Sequence, residues 1–449
     1  MERNPRAHID NKGMTRRDFL WVTSMGLTGI VLGCAVNPVT GERQLMLMSE
    51  DQEVGIDKQN SPHQFSADYG AVTDRSLNEY MHRTGQKMAQ LSHRPQMPYS
   101  FRAVNATYVN AYAFPGGSIA ATRGILLSLS NEAELAGLLG HEIGHVNARH
   151  TAERMTKNVL VSLALVGVAA YVQTEDARLA PLAAGLGGIG AGMLLAKYSR
   201  DDEREADALG MEYMVRSNHS PEGMVGLMNV LRGISKHKPS TIEMMFATHP
   251  MSDERYETAV QRSKTQYGAA QNYPLNRERY MDHTAKLRSM KGAIEKMQNG
   301  EKAMAQRKFQ DAERQFQGAL KEAPRDYAAL LMMAKCQLAQ GKHGRASNYA
   351  DKAKQVNPGE AQALHVSGMA KIKQRRFGTA YADFRDYEKT LPGNPNTIFL
   401  KGLCLEGMQR RREAAVEYNR YLQVDTSSKQ AEYAYERLVS WGYVKPQQK

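Results

Sequence analysis

Three cysteines among 449 residues exclude a scaffold built on disulfides, and two of them, Cys336 and Cys404, stand twice 34 residues apart. Aromatic residues are equally scarce, at 7% with two tryptophans, whereas methionine is plentiful at 25. That balance favours helices over a large β-sheet. With 37 glycines and 16 prolines the chain is neither collagen-like nor low-complexity. Acidic charge is also short, with 47 Asp and Glu against 59 Lys and Arg. The imbalance is local: residues 290–449 hold 28 basic and 17 acidic side chains, a net +11 of the chain's +12. Such a surface can attract acidic protein segments or anionic headgroups. Nucleic acid is not expected as a partner, because the N-terminus reads as an export signal.

That signal lies in residues 1–34, which join a charged start to an apolar run from Phe19 to Gly33. Fifteen helical residues span about 22 Å, short of the roughly 30 Å hydrocarbon core, so the run is too short for a permanent span. Arg16 and Arg17 before Phe19 and Leu20 resemble a twin-arginine signal, and Val31-Leu32-Gly33-Cys34 resembles a lipobox. Acylation is expected at Cys34. Ala35 in place of aspartate resembles outer-membrane sorting, so the expected location is periplasmic and lipid-anchored, outer membrane ahead of inner. Two later apolar stretches, 159–172 and 179–196, are expected to be buried or membrane-facing helices rather than spans, the second being interrupted by glycines.

The segment LGHEIGHV, from Leu139 to Val146, carries the chemistry. Asn131 is a fitting N-cap, and Ala133, Leu135, Ala136, Leu138, Leu139, Ile143 and Val146 give a helical apolar stripe. On that helix His141 and His145 stand one turn apart on one face, where two neutral imidazoles suit zinc. Glu142, one position round, is placed to take a proton from an attacking water. A catalytic zinc needs a third protein ligand. Glu203 and Asp207, four apart in YSRDDEREADALG, share a face of a later helix. Glu203 is taken as the ligand and Asp207 as the acceptor that orients a ligating imidazole, with the reverse assignment open.

From Tyr99 to Leu127 the residues alternate or are β-branched and aromatic, broken by Pro115-Gly116-Gly117. Two short strands and a turn are expected, at a sheet edge because proline cannot donate to a central ladder. From about residue 291 the chain repeats. Ala312, Ala346, Ala380 and Ala414 are each 34 apart, as are Pro324, Pro358 and Pro392. A 34-residue helical period is the tetratricopeptide signature. Four helix pairs over about 292–425 and a capping helix carrying Tyr433 to Trp441 are expected.

Together, Asn110-Ala111-Tyr112-Ala113-Phe114-Pro115-Gly116-Gly117, NEAELAGLLGHEIGH, SRDDEREAD and Thr248-His249-Pro250 resemble the zinc metalloendopeptidase family that includes the CAAX prenyl protease and HtpX. The tetratricopeptide tail is most similar to its BepA-type periplasmic branch. The resemblance implies an α+β, mostly helical fold. It comprises a leader (1–34), a zincin-like metallopeptidase core with a small edge sheet (37–270) and an all-α solenoid (290–442). It implies one zinc per chain and hydrolysis of peptide bonds in unfolded or misassembled envelope proteins. Asn110, Ala111, Tyr112, Ala113 and Phe114 would hold an extended substrate by main-chain pairing. His249 would donate to the oxyanion or block the zinc, with Arg255 anchoring its loop. The other reading is a binding scaffold whose zinc site is residual or self-blocked, the basic repeats serving a protein partner.

Overall fold

A computed structural model describes residues 34–157, 197–237 and 248–445. The expected signal run up to Gly33 and the apolar stretches 159–172 and 179–196 fall outside them. No described helix is long and apolar enough to cross a membrane.

A short antiparallel hairpin, β1 (Cys34–Val36) and β2 (Arg43–Leu45), leads into α1 (Glu50–Ala67). Ser49 and Gln52 cap α1 reciprocally, satisfying two of its orphan amides. Helix α2 (Arg75–Ala89) then packs on a three-stranded sheet of order β3 (Ser100–Val104), β5 (Ser118–Thr122), β4 (Ala111–Ala113). The sequence points to two strands here; the structure has three, with β3 parallel to β5 and β4 antiparallel to it. Parallel pairing comes from chain that returns by a crossover, which local alternation does not report. The β4–β5 turn needs Gly117 at φ +97°, held 3.1 Å from the Tyr99 ring at its missing Cβ. Strand β4 is an edge of the sheet.

After α3 (Arg123–Ser128) comes α4 (Glu132–Asn147), all sixteen residues of which are buried. Asn131 caps it, accepting from the Glu134 amide at 2.9 Å. Helices α5 (Arg200–Arg216) and α6 (Glu222–His237) enclose α4. Glycine makes this possible: a Cβ on Gly144 would lie 2.8 Å from the Ala206 carbonyl oxygen, and one on Gly140 3.0 Å from that of Gly210. Side chains would force the backbones apart and draw the histidines of α4 away from the carboxylates of α5. Helix α7 (Asp253–Thr265) closes this part.

Helix α8 (Arg277–Ser289) leads to four helix pairs: α9 (Lys291–Ala305) with α10 (Phe309–Glu322), α11 (Tyr327–Ala339) with α12 (His343–Val356), α13 (Gln362–Lys373) with α14 (Phe377–Thr390), and α15 (Pro395–Gly407) with α16 (Arg411–Leu422). Helix α17 (Lys429–Ser440) caps the stack. Ala312, Ala346, Ala380 and Ala414 are fully buried. One register shows how each pair closes. Gly300, Gly368 and Gly402 face the rings of Phe316, Phe384 and Tyr418, whereas the second pair has Ala334 and Ala350 in those places. A ring needs the bare backbone of glycine opposite it, whereas two alanines fit without that relief. Every hairpin turn has a left-handed residue at the same register: Arg307, Gly341, Arg375 and Gln409. Cys336 and Cys404 are free and buried.

Candidate metal centre

His141 and His145 project from α4 toward Glu203 on α5, and His249 reaches the same point from the loop before α7. One ligand atom from each of these four lies within 4.8 Å of all the others. His141 Nε2 stands 3.1 Å from His145 Nε2 and 3.3 Å from His249 Nδ1. Glu203 Oε1 is 3.0 Å from His249 Nδ1 and 3.4 Å from His145 Nε2. All four side chains are buried. Lone pairs so converged outnumber the protons available between them, and repel unless a cation lies among them. Imidazole nitrogen with one carboxylate oxygen is the donor set of a divalent transition-metal site. Glu142 supports the same reading, since it is fully buried and neither of its oxygens has a hydrogen-bond partner among the described residues. The residues fit zinc.

The ligand rings are held from behind. Asp207 Oδ1 lies 2.9 Å from His141 Nδ1, and Arg255 grips Asp207 with two bonds of 2.7 Å. The same guanidinium lies 2.6 Å from Glu203 Oε2 and donates to the Pro250 carbonyl at 2.9 Å, tying the His249 loop to α5. His145 Nδ1 meets His150 Nδ1 at 2.9 Å, and His150 Nε2 is 3.3 Å from Glu205 Oε2. The Tyr198 ring stacks on His145 at 3.8 Å between centroids. The sequence analysis assigns no role to Tyr198, His150 or Glu205. Only the HEIGHVNARH spacing, with His150 five residues after His145, hints at His150, and nothing local points to Tyr198.

Charge sets distinct tendencies within this group. Burial pushes the Glu142 carboxyl up, toward holding a proton, against the opposing pull of His249 and His141. Burial acts on Glu203 in the same sense, but the charges around it, His249 foremost, outweigh it and hold it well below the usual carboxylate range. Asp207 is likewise held low, by Arg255 and then His141 against burial. Burial drives His145 well down, toward the neutral imidazole a metal requires.

The residues Asn110 to Phe114 lie along β4, and all five are buried. Thr122 donates to the Asn110 carbonyl and Phe114 to that of Ser118, so these alternate residues are bonded to β5. By antiparallel alternation the N–H and C=O groups of Ala111 and Ala113 point away from β5, to the edge that no other described strand pairs with. Ala113, Phe114 and Pro115 line one small pocket together with His145, Val146 and Arg149, which puts the end of β4 beside the helix that carries the histidine pair. The expected metal, base and strand residues thus share one region. Cys34 opens β1 in the same half of the chain.

Fold and site define a metalloendopeptidase domain: residues 75–263 match the model of peptidase family M48, and residues 303–370 that of the tetratricopeptide repeat. Among curated proteins, the beta-barrel assembly-enhancing protease of Yersinia pestis is 31% identical over 203 residues, 44% of this chain and 42% of that protein. Metalloprotease YcaL of Escherichia coli K12 is 31% identical over 159 residues, 35% of this chain and 59% of that one. The mitochondrial metalloendopeptidase OMA1 of Arabidopsis thaliana is 25% identical over 190 residues, 42% of this chain and 37% of its own. The chain thus spans about two fifths of the first of these relatives. A solved MamA fragment from Desulfovibrio magneticus RS-1 aligns with 34% of this chain and 86% of its own at TM-score 0.33 and 16% identity.

Proposed function

We propose that the chain is a zinc-dependent endopeptidase that cleaves unfolded or misassembled proteins of a bacterial envelope, in quality control or outer-membrane assembly. The observation that carries this is the convergence of His141, His145 and Glu203 beside a buried carboxylate, Glu142, that has no hydrogen-bond partner among the described residues. One zinc held by those three ligands would polarise the scissile carbonyl and acidify water. Glu142, raised by burial, takes the proton of the attacking water and passes it to the leaving amine. Asp207 and Arg255 fix the ring of His141 and the carboxylate of Glu203. Ala111 and Ala113 pair with the main chain of an extended substrate, which suits clients defined by unfolding rather than by sequence.

His249 supports a second state. Its Nδ1 belongs to the same group of ligand atoms, so it can take the fourth position and exclude water. The scaffold reading, with a self-blocked site, rests on that placement. The peptidase part is assigned to residues 37–270 and the repeat part to 290–442, with anchoring through an acylated Cys34 at the periplasmic face of the outer membrane. The basic repeats are assigned to a protein partner. Lys308, Lys342, Arg376 and Arg410 each sit at the start of a second helix, where a cation opposes the helix dipole; Lys342 and Arg410 are offset by Glu313 and Glu413.

The test is casein hydrolysis by wild type and Glu142→Gln. The variant keeps shape and ligands but loses the base, so the rate should fall by roughly 10²-fold to 10⁴-fold. Equal rates would end the protease reading. No hydrolysis by either, with binding of casein intact, would favour the scaffold.

A further inference from the structure

The two halves of the molecule share one apolar cluster, and within their contact a set of polar groups gathers at one segment. Glu301 of α9 accepts from Thr107 Oγ1 at 2.6 Å and from the Tyr69 hydroxyl at 3.1 Å. From the same helix Gln298 donates to the Thr107 carbonyl at 2.6 Å. Lys335 of α11 places its ammonium 4.5 Å over the Tyr69 ring. Beside it Asp68, itself buried, accepts the hydroxyls of Tyr108 at 2.7 Å and Tyr112 at 2.5 Å. Arg123 bonds the Asn105 carbonyl at 2.9 Å and Asp326, the cap of α11, at 2.5 Å. The segment 105–112 is therefore fastened at its start, middle and end by groups that belong to, or face, the first two helix pairs. Tyr112 is the central residue of β4.

We infer that the repeat domain positions the substrate strand: Glu301 holds segment 105–112 directly, Lys335 holds it through Tyr69, whose carbonyl accepts from Asn105, and together they set where the unpaired edge of β4 lies. The inference rests on the reading that substrate pairs with that edge. Neither residue touches substrate or metal, so both are positioning residues. Both are half-buried, and they meet groups that are buried, Thr107, Asp68 and Tyr69, which makes the grip strong. Removing one member leaves its partners as unpaired charges in a poorly solvated interior, which costs more than the pair contributes. Burial pushes Lys335 down to about 8 and raises Asp68 and Glu301, so none of the three is well solvated by itself. Binding a partner on the repeats would reach the peptidase through these contacts, without any contact to the catalytic groups.

The experiment uses the full chain carrying Glu301→Gln, Lys335→Met or both, with two readouts. Amide exchange of segment 105–114 should quicken by roughly 10-fold in the single variants, the factor that about 1.4 kcal/mol of lost local stability represents. It should be at least as fast in the double variant, which still leaves Asp68 without an ammonium. KM for casein should rise by a similar factor, with kcat and bound zinc unchanged. A general loss of folding would instead lower the active fraction, and so kcat and zinc together. Unchanged exchange at 105–114 overturns the inference, because the repeats then do not hold the strand. Faster exchange with unchanged KM overturns it from the other side, since the strand is held but substrate does not use it.

Discussion

Helices α4 and α11 are both almost wholly inside the molecule, and their contents are opposite. The ten buried residues of α11 are apolar but for Gln337, in an interior organised by volume, Ala334 against Ala350 of the next helix. The sixteen buried residues of α4 include Glu132, Glu134, His141, Glu142, His145 and Asn147, in an interior organised by charge. A helix that only needed to fold would not carry those groups, because each must be matched by a partner or a cation. The difference separates architecture from chemistry without reference to any relative: buried charges elsewhere pair off, Lys371 with Asp383 in the repeats and Arg94 with Glu53 in the peptidase part, whereas His141, His145, Glu203 and His249 bring four ligand atoms to one point.

The comparison breaks first at Arg255, the cation that faces two buried carboxylates. Arg255→Met should destabilise the fold by about 3–5 kcal/mol in urea denaturation, because Asp207 and Glu203 lose their common partner. A loss under about 1 kcal/mol would mean that the charge balance of the core is set elsewhere.

Glycine sharpens it next. Gly144→Ala and Gly402→Ala both gain helix propensity, yet each new Cβ meets something fixed, the Ala206 carbonyl oxygen at 2.8 Å and the Tyr418 ring at 2.6 Å. Each should cost about 1–3 kcal/mol of stability. Only the first should also lower zinc affinity, because it separates α4 from α5. Equal zinc binding by both variants would show that the spacing of those helices does not govern the site.

The smallest effect on the peptidase is expected from the basic turns. Reversing Arg375, Arg376, Arg410, Arg411 and Arg412 to glutamate should alter stability by about 0.5 kcal/mol or less per site and leave hydrolysis of a short unstructured peptide unchanged. Retention by an acidic protein column or by anionic vesicles should fall. Retention equal to wild type would leave these turns as merely solvated.

The period-34 positions and the histidine pair were legible because each is a local pattern: one repeat length, one helical turn. The third ligand was legible only as a choice between Glu203 and Asp207, and geometry separates them. Glu203 faces the other ligand atoms while Asp207 backs His141. His150, Tyr198 and the partner of Glu205 were not legible, because their roles arise where separate segments meet. Nor was the parallel pairing of β3 with β5, or the reason for glycine at positions 140 and 144, which lies in the backbone of α5. The polar contact between the halves was hidden for the same reason: Glu301 and Thr107 are far apart in sequence.

The most direct test is the metal content of the purified full chain, wild type beside His141→Ala, by elemental analysis with circular dichroism on the same samples. One zinc per chain in the wild type, lost in a variant that keeps its helical spectrum, is the expected result. A folded wild type that takes up no zinc when zinc is supplied would contradict the account.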